Sequence, residues 1–187
     1  MNRIPVSVLG ATGVVGQRFV RRLASHPYFE LRSIAASDRN VGKPYADACD
    51  WRLPGEPYAG FAGMKLVACD PGQALAPIAF SALDAAAAAL VEPAFAAAGV
   101  LVFSNAAAFR MEPDVPLVVP ELNPDHLELL AVQRSRRGWP GGIVCNPNCT
   151  TTIALGALGP LLRRLRGGRR RSNQHAGAQR RRAPGRR

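Results

Sequence analysis

The hexapeptide Ile4 to Leu9 runs straight into Gly10-Ala11-Thr12-Gly13-Val14-Val15-Gly16, and a segment with Val15, Phe19 and Leu23 spaced four apart follows. Few folds accept that junction. A short apolar strand, a three-glycine loop and an amphipathic helix form the opening unit of a parallel sheet covered by helices. In that unit Gly10 permits the tight turn, Gly13 lets the backbone approach a pyrophosphate, and Gly16 allows close packing of the helix. A glycine-rich stretch alone is a weak signal, and its place between strand and helix is what favours a dinucleotide site over an ordinary turn. Pro5 is tolerated near a strand start. Arg18, Arg21 and Arg22 fall on the solvated side of the helix, which stops before Pro27.

The rest of the chain repeats the alternation. Further strands are predicted at Leu31 to Ala36, Lys65 to Ala68, Ile78 to Leu83, Val100 to Ser104, Leu117 to Val119 and Ile143 to Cys145. An Ala-rich helix is predicted over Asp84 to Ala98, bent or split at Pro93, and another over Pro124 to Arg137, begun by Asn123. Residues 40 to 62, rich in Gly, Pro and aromatics without periodicity, read as a long connection. The fold class is α/β, a Rossmann-like doubly wound parallel sheet.

Asn146-Pro147-Asn148-Cys149-Thr150-Thr151-Thr152 delivers a thiol to the start of an apolar helix. Unpaired N–H groups at a helix N-terminus stabilise an anion, so Cys149 is the candidate nucleophile. A nucleophilic thiol beside a dinucleotide site suggests redox chemistry at an acyl carbon through a thioester. Cys145, four residues earlier, reads as a buried strand residue. Cys49, Cys69, Cys145 and Cys149 are too scattered for a disulfide framework, and no histidine lies near enough in sequence to suggest a metal site. With no leader pattern and no bilayer-length apolar run, the expectation is a cytoplasmic protein without a membrane partner.

Charge is confined to one end. The formal net charge is +11, yet residues 163 to 187 hold 11 Arg and no acid, so the first 162 residues are formally neutral. Beyond Leu165 there is no Val, Ile, Leu, Met or aromatic residue, which predicts a disordered Arg-rich tail over 166 to 187. That tail could neutralise nucleic-acid phosphates. Without an aromatic to stack on bases such binding would be salt-sensitive and nonspecific, so no specific nucleic-acid partner is expected.

Ser37-Asp38-Arg39 stands about twenty residues past the glycine loop, where an acid would hold a ribose diol and an Arg a 2′-phosphate. On an extended segment Ser37 and Arg39 would point together and Asp38 away. In order and spacing, GATGVVGQRF, AASDR, FSAL, SNAAAFRM, DVPLVVPELN and NPNCTTT resemble aspartate-semialdehyde dehydrogenase, the archaeal and fungal branch, across residues 4 to 162. The resemblance implies NADP as cofactor. It implies that Gly10, Thr12, Gly13, Val14 and Val15 cradle the pyrophosphate, that Ser37 and Arg39 take the 2′-phosphate, and that Ser81, Ala82 and Leu83 lie beside the cofactor. By the same resemblance, Asn105 and Arg110 match the segment that binds substrate phosphate, Asn148 would help orient the acyl group, and Cys149 would be the nucleophile in a reaction interconverting L-4-aspartyl phosphate and L-aspartate 4-semialdehyde.

Members of that family are roughly twice as long and form homo-oligomers. Their general-base histidine, the Gln-containing loop, the carboxylate-binding Arg and most of the interface have no counterpart here, and His126 and His175 are poor substitutes. The expected organisation is therefore an NADP-binding domain at 1 to 147, the start of a truncated catalytic and dimerisation domain at 148 to 165, and the tail. The abrupt change after Leu161-Leu162-Arg163-Arg164 to Gly, Arg, Ala and Pro suggests a frameshifted or truncated and inactive dehydrogenase. Paralogous acyl-CoA reductases, such as malonyl-CoA reductase, and N-acetylglutamyl phosphate reductases share the thiol and fold. They remain rival readings.

Overall fold

The computed structural model describes residues 2–74 and 76–179, with side chains up to residue 165 apart from residue 163. The chain divides into two compact units, Met1–Pro147 and Asn148–Arg187.

In the first unit, β1 (Ile4–Leu9), β2 (Phe29–Ala36), β3 (Leu66–Ala68), β4 (Ile78–Ser81), β5 (Leu101–Ser104) and β6 (Gly142–Cys145) form one sheet in the order β3-β2-β1-β4-β5-β6. Every named pairing is parallel. Parallel strands need crossovers, and α1 (Val14–Leu23), α3 (Ala85–Ala97) and α4 (Leu129–Arg137) supply three of them. The strand order reverses between β1 and β4, which is where a doubly wound sheet opens a crevice beyond its carboxyl ends.

Both faces are buried, as a fully covered parallel sheet requires. Alternation along β1 and β2 sends Val6, Val8 and Ile34 to a core shared with Val20 and Leu23 of α1 and with Tyr45. Leu9 and Ala35 go to the opposite core with Phe95 of α3, Val102 and Ile143. Cys145 is buried in that second core, as its strand position predicts.

The α1 stripe differs from the predicted Val15, Phe19 and Leu23. The buried positions are Gly16, Gln17, Val20 and Leu23, while Val15 is exposed. The cause is Gly16, where a Cβ would collide with the Gly10 carbonyl oxygen and the Ala11 backbone. Because the helix approaches the loop through Gly16, that side faces the sheet and Val15 turns outward.

Pro93 does not split α3, which remains one helix over Ala85–Ala97. A single proline removes one ladder bond, and the buried Phe95 and Ala96 of the last turn hold the helix against the sheet. Leu117 to Val119 forms no named strand and makes only a parallel bridge from Leu117 to Cys145. There the Asn123 side chain bonds the backbone itself, accepting from Val119 N at 2.8 Å and donating to Leu117 O at 2.9 Å. Residues 124 to 137 divide into a 3-10 turn, Pro124–Glu128, and then α4, which ends at Gly138 in the left-handed region (φ 67°). The long connection contains α2 (Tyr45–Ala48) and a second 3-10 turn, Pro57–Gly60.

In the second unit, α5 runs Cys149–Gln179. The backbone of α5 extends over 166–179 of the expected tail, and residues 180–187 lie outside the described residues. Ile153, Leu158, Leu161, Leu162 and Leu165 are exposed on α5. No helix of the described residues is long and apolar enough to cross a membrane.

Candidate active site

The glycine loop is held from behind by its carbonyl groups. Tyr45 donates its hydroxyl to Ala11 O at 2.7 Å, and Gln17 donates Nε2 to both Thr12 O and Asp50 O at 3.0 Å. Gln17 Oε1 accepts from Arg52 N at 2.9 Å, so one buried amide ties the loop to the long connection. Gly10 N and Ala11 N both donate to Ala35 O. Gly10 adopts φ +76°, and a Cβ there would meet Ala82 O at 2.9 Å. The turn therefore requires glycine twice over.

The loop's amide side is left open. Gly13 caps α1 in extended geometry with no side-chain bond, so the first-turn amides of Val14, Val15 and Gly16 have no helical acceptor. A Cβ on Gly13 would find only Gly10 O, at an ordinary 3.6 Å. Protein packing does not demand the glycine at this position. The free space beside an uncapped helix N-terminus suits the pyrophosphate of a dinucleotide. The neighbouring α3 is closed to anions, because Asp84 Oδ1 accepts from Ala86 N and Ala87 N at 3.0 Å.

A crevice of about 580 Å³ opens at this point, beyond the ends of β1 to β4. Of the predicted cofactor residues, Gly10, Thr12, Gly13, Ser37, Ala82 and Leu83 line it. Asp38, Asp70 and Asp84 line it too, whereas an extended segment would turn Asp38 away. The reason is local: Asp38–Asn40 is a 3-10 turn, not an extended segment, so strict alternation of side chains does not apply. Arg39 is exposed and is not part of the lining. Ser81 is fully buried and lines neither crevice. Its carbonyl accepts from Asn105 N at 3.1 Å.

A second opening, about 710 Å³, is lined by Val15, Arg18, Arg21 and Arg22 of the α1 region together with Asn105 and Asn146. Here the structure joins two predicted substrate residues in one network. Asn146 Nδ2 donates to Asn105 Oδ1 at 2.6 Å, while Arg110 donates from Nε to Asn146 O at 2.9 Å and from Nη2 to Asn105 O at 2.6 Å. Arg110 thus clamps the segments after β5 and β6, and only the remainder of its fork can meet an anion. Nothing in the sequence marks Asn146 or Gln17 as a site residue, because which polar groups meet depends on the fold.

Asn148 and Cys149 belong to the second unit. Asn148 Oδ1 accepts from Thr150 N at 2.9 Å, a side-chain cap at the start of α5, and its carbonyl accepts from Thr152 N and Thr152 Oγ1. That leaves the amide nitrogen of Asn148 for any other partner. Cys149, first residue of α5, is exposed. The other thiols lie deeper: burial raises Cys49 and Cys69, and burial followed by the nearby Glu92 pushes Cys145 up to about 12. No group of three or more metal-ligating side chains occurs among the described residues.

The sequence pattern of the family described as semialdehyde dehydrogenase, NAD binding domain, matches residues 5–130. The chain is 52% identical over 160 residues to an aspartate-semialdehyde dehydrogenase of Archaeoglobus fulgidus, covering 86% of this chain and 47% of the relative. Its fold is similar to that of the Candida albicans aspartate semialdehyde dehydrogenase crystallised with NADP, with TM-score 0.79, 38% identity, and coverage of 87% of this chain and 48% of the other. It is also similar to aspartate semialdehyde dehydrogenase II from Vibrio cholerae complexed with ASA, with TM-score 0.64, 30% identity, and coverage of 86% and 46%. The chain spans about half the length of the curated relatives it matches.

Proposed function

The chain belongs to the semialdehyde dehydrogenase family, and from that premise we propose that it carries the cofactor site and nucleophile of a cytoplasmic NADP-dependent aspartate-semialdehyde dehydrogenase. The observation supporting a nicotinamide dinucleotide most directly is the loop itself. Gly10 and Gly16 are required by the fold, whereas a Cβ on Gly13 would make only one ordinary contact, so the fold leaves room there for a ligand. NADP is the choice because the similar Candida albicans enzyme was crystallised with it. Arg39, exposed and next in the chain to Ser37 and Asp38 of the crevice lining, is the cation we assign to the 2′-phosphate.

The chemistry assigns each group one task. Cys149 attacks the acyl carbon of L-4-aspartyl phosphate, forming a C–S bond as the C–O bond to phosphate breaks and phosphate departs with its electron pair. When bound, NADPH supplies the hydride that converts the resulting thioester to L-aspartate 4-semialdehyde and returns the thiolate. The loop amides and the N-terminus of α1 hold the pyrophosphate. Arg110, fixed by two carbonyls, orients Asn105 and Asn146 and offers its remaining donors to the substrate phosphate.

Since the chain spans about half the length of those relatives, the 187-residue polypeptide is expected to bind NADP, more tightly than NAD, without turnover. The test is an NADP and NAD titration beside a phosphate-dependent NADP reduction assay with L-aspartate 4-semialdehyde, each repeated on Cys149→Ser. Tighter binding of NAD would overturn the 2′-phosphate reading. Turnover abolished by Cys149→Ser would show that this portion suffices for the chemistry.

A further inference from the structure

Glu92 is fully buried in α3, a helix whose other residues are Ala, Leu, Val, Pro and Phe, and it has no cationic partner among the described residues. A buried carboxyl without a cation is costly, so its presence calls for a cause other than stability. Its contacts supply one. Ser104 donates its hydroxyl to Glu92 Oε1 at 2.7 Å, and the same hydroxyl oxygen accepts from Ala106 N at 3.1 Å. Donating one way fixes the lone pairs that receive Ala106, the residue after Asn105. Ser81, paired with Ser104 across β4 and β5, acts on the same carboxyl without closing a hydrogen bond, so Ser81 Oγ and Glu92 Oε2 are both left unpaired.

Ser81 and Ser104 are the last residues of their strands. Immediately beyond them the chain enters Ala82-Leu83, which lines the cofactor crevice, and Asn105 to Arg110, which carries the substrate network. The two segments are joined by Asn105 N donating to Ser81 O, and Asn146 N donates to Ser104 O at 2.8 Å. Every link of this frame passes through a strand-end serine.

We propose that Glu92 is a positioning residue, whose buried carboxyl holds Ser104, and through it Ser81, so that the cofactor segment and the substrate segment leave the sheet in register. The role of those segments rests on the functional reading above; the frame itself is independent of it. Burial pushes the Glu92 carboxyl up, while the two serine hydroxyls act in the opposite sense. The protonated acid could donate to Ser81 Oγ, a bond that Gln also makes while keeping the acceptor for Ser104.

The experiment compares the 187-residue chain with Glu92→Leu and Glu92→Gln by amide exchange over residues 81–83 and 104–110 and by NADP titration. In Glu92→Leu the unpaired Ser104 hydroxyl should loosen Ala106, raising exchange there about tenfold and weakening NADP by a similar factor, the equivalent of one net hydrogen bond. The melting temperature should not fall in proportion, because an apolar residue of similar size replaces an uncompensated acid. Glu92→Gln should restore both readouts. Wild-type exchange in Glu92→Leu, or failure of Gln to restore it, would overturn the proposal. If Glu92→Leu does not fold, exchange in Glu92→Gln decides alone. Absence of NADP binding by the wild-type chain would count against the functional reading, and exchange would still decide the role of Glu92.

Discussion

Substituting alanine separately at Gly10, Gly13 and Gly16 separates folding from binding within one seven-residue loop. At Gly16 the new Cβ would strike backbone atoms, Gly10 O and the Ala11 Cα, which cannot rotate away. Overpacking of this kind costs about 1–3 kcal/mol, a loss of roughly 2–4 °C in Tm for each kcal/mol in a chain of this size. At Gly10 the left-handed φ of +76° adds a conformational penalty of about 1–2 kcal/mol to the contact with Ala82 O. At Gly13 the backbone is extended (φ −73°, ψ 159°) and the nearest atom to a Cβ is 3.6 Å away. Reduced freedom of the unfolded chain contributes about 0.4–1 kcal/mol there, and the poorer N-cap removes up to about 1 kcal/mol. The net effect on stability is near zero. Binding should behave in the opposite order, because a methyl group at Gly13 would occupy the space proposed for the pyrophosphate and separate it from the helix amides. Losing one charge-assisted hydrogen bond, about 1.5–3 kcal/mol, corresponds to an NADP affinity some ten- to 150-fold weaker. Thermal denaturation and NADP titration of the three variants suffice. Wild-type affinity in Gly13→Ala would falsify the placement of the cofactor, and a Tm loss there as large as in Gly16→Ala would refute the packing argument.

Other outcomes follow from buried polar groups. Asp114 is almost wholly buried and takes two bonds from Arg137, at 2.6 and 2.7 Å, and hydrogen bonding to that guanidinium holds its carboxyl below the ordinary value. Arg137→Ala should cost on the order of 2–3 kcal/mol at neutral pH, below the roughly 3–5 of a fully buried pair because the guanidinium is partly in water. A depressed carboxyl stabilises above its unfolded value and ceases to do so as pH falls through the folded one, so urea melts of wild type and variant should converge below about pH 4. Gln133, fully buried, accepts from Ile143 N and donates to Ile143 O and Asp114 O. Gln133→Leu should destabilise by about 2–4 kcal/mol, from stranding the β6 backbone groups, and an unchanged Tm would contradict this. With a limiting alkylating reagent at pH 8, mass spectrometry should find Cys149 modified first and Cys145 last, since Cys145 is buried and pushed up to about 12. Early modification of Cys145 would show that its strand opens.

Much of the architecture is local information. The strands, the glycine loop and the helix starts at Gly13 and Asp84 follow from short-range sterics and capping, and six of the predicted strands lie within two residues of β1 to β6. The predicted fourth strand is cut short at Ser81, where Ala82-Leu83 turns into the crevice. Leu117 to Val119 has a strand's composition yet makes a single bridge, because Asn123, four to six residues downstream, takes its backbone groups. Asp38 enters the crevice because three residues close a 3-10 turn, a choice between two backbone states that differ little in propensity.

The sequence by itself determined where glycine is indispensable, which thiol begins a helix and which segments alternate, since each depends on groups a few residues apart. Only the tertiary structure decided that Gln17 and Tyr45 secure the loop, that Arg110 clamps Asn105 to Asn146, and that Glu92 lies beneath two strand ends. Those contacts join residues up to 36 apart in the chain. A hydrogen bond requires two groups to arrive within about 3 Å in the right orientation, and composition cannot encode the packing that brings them there.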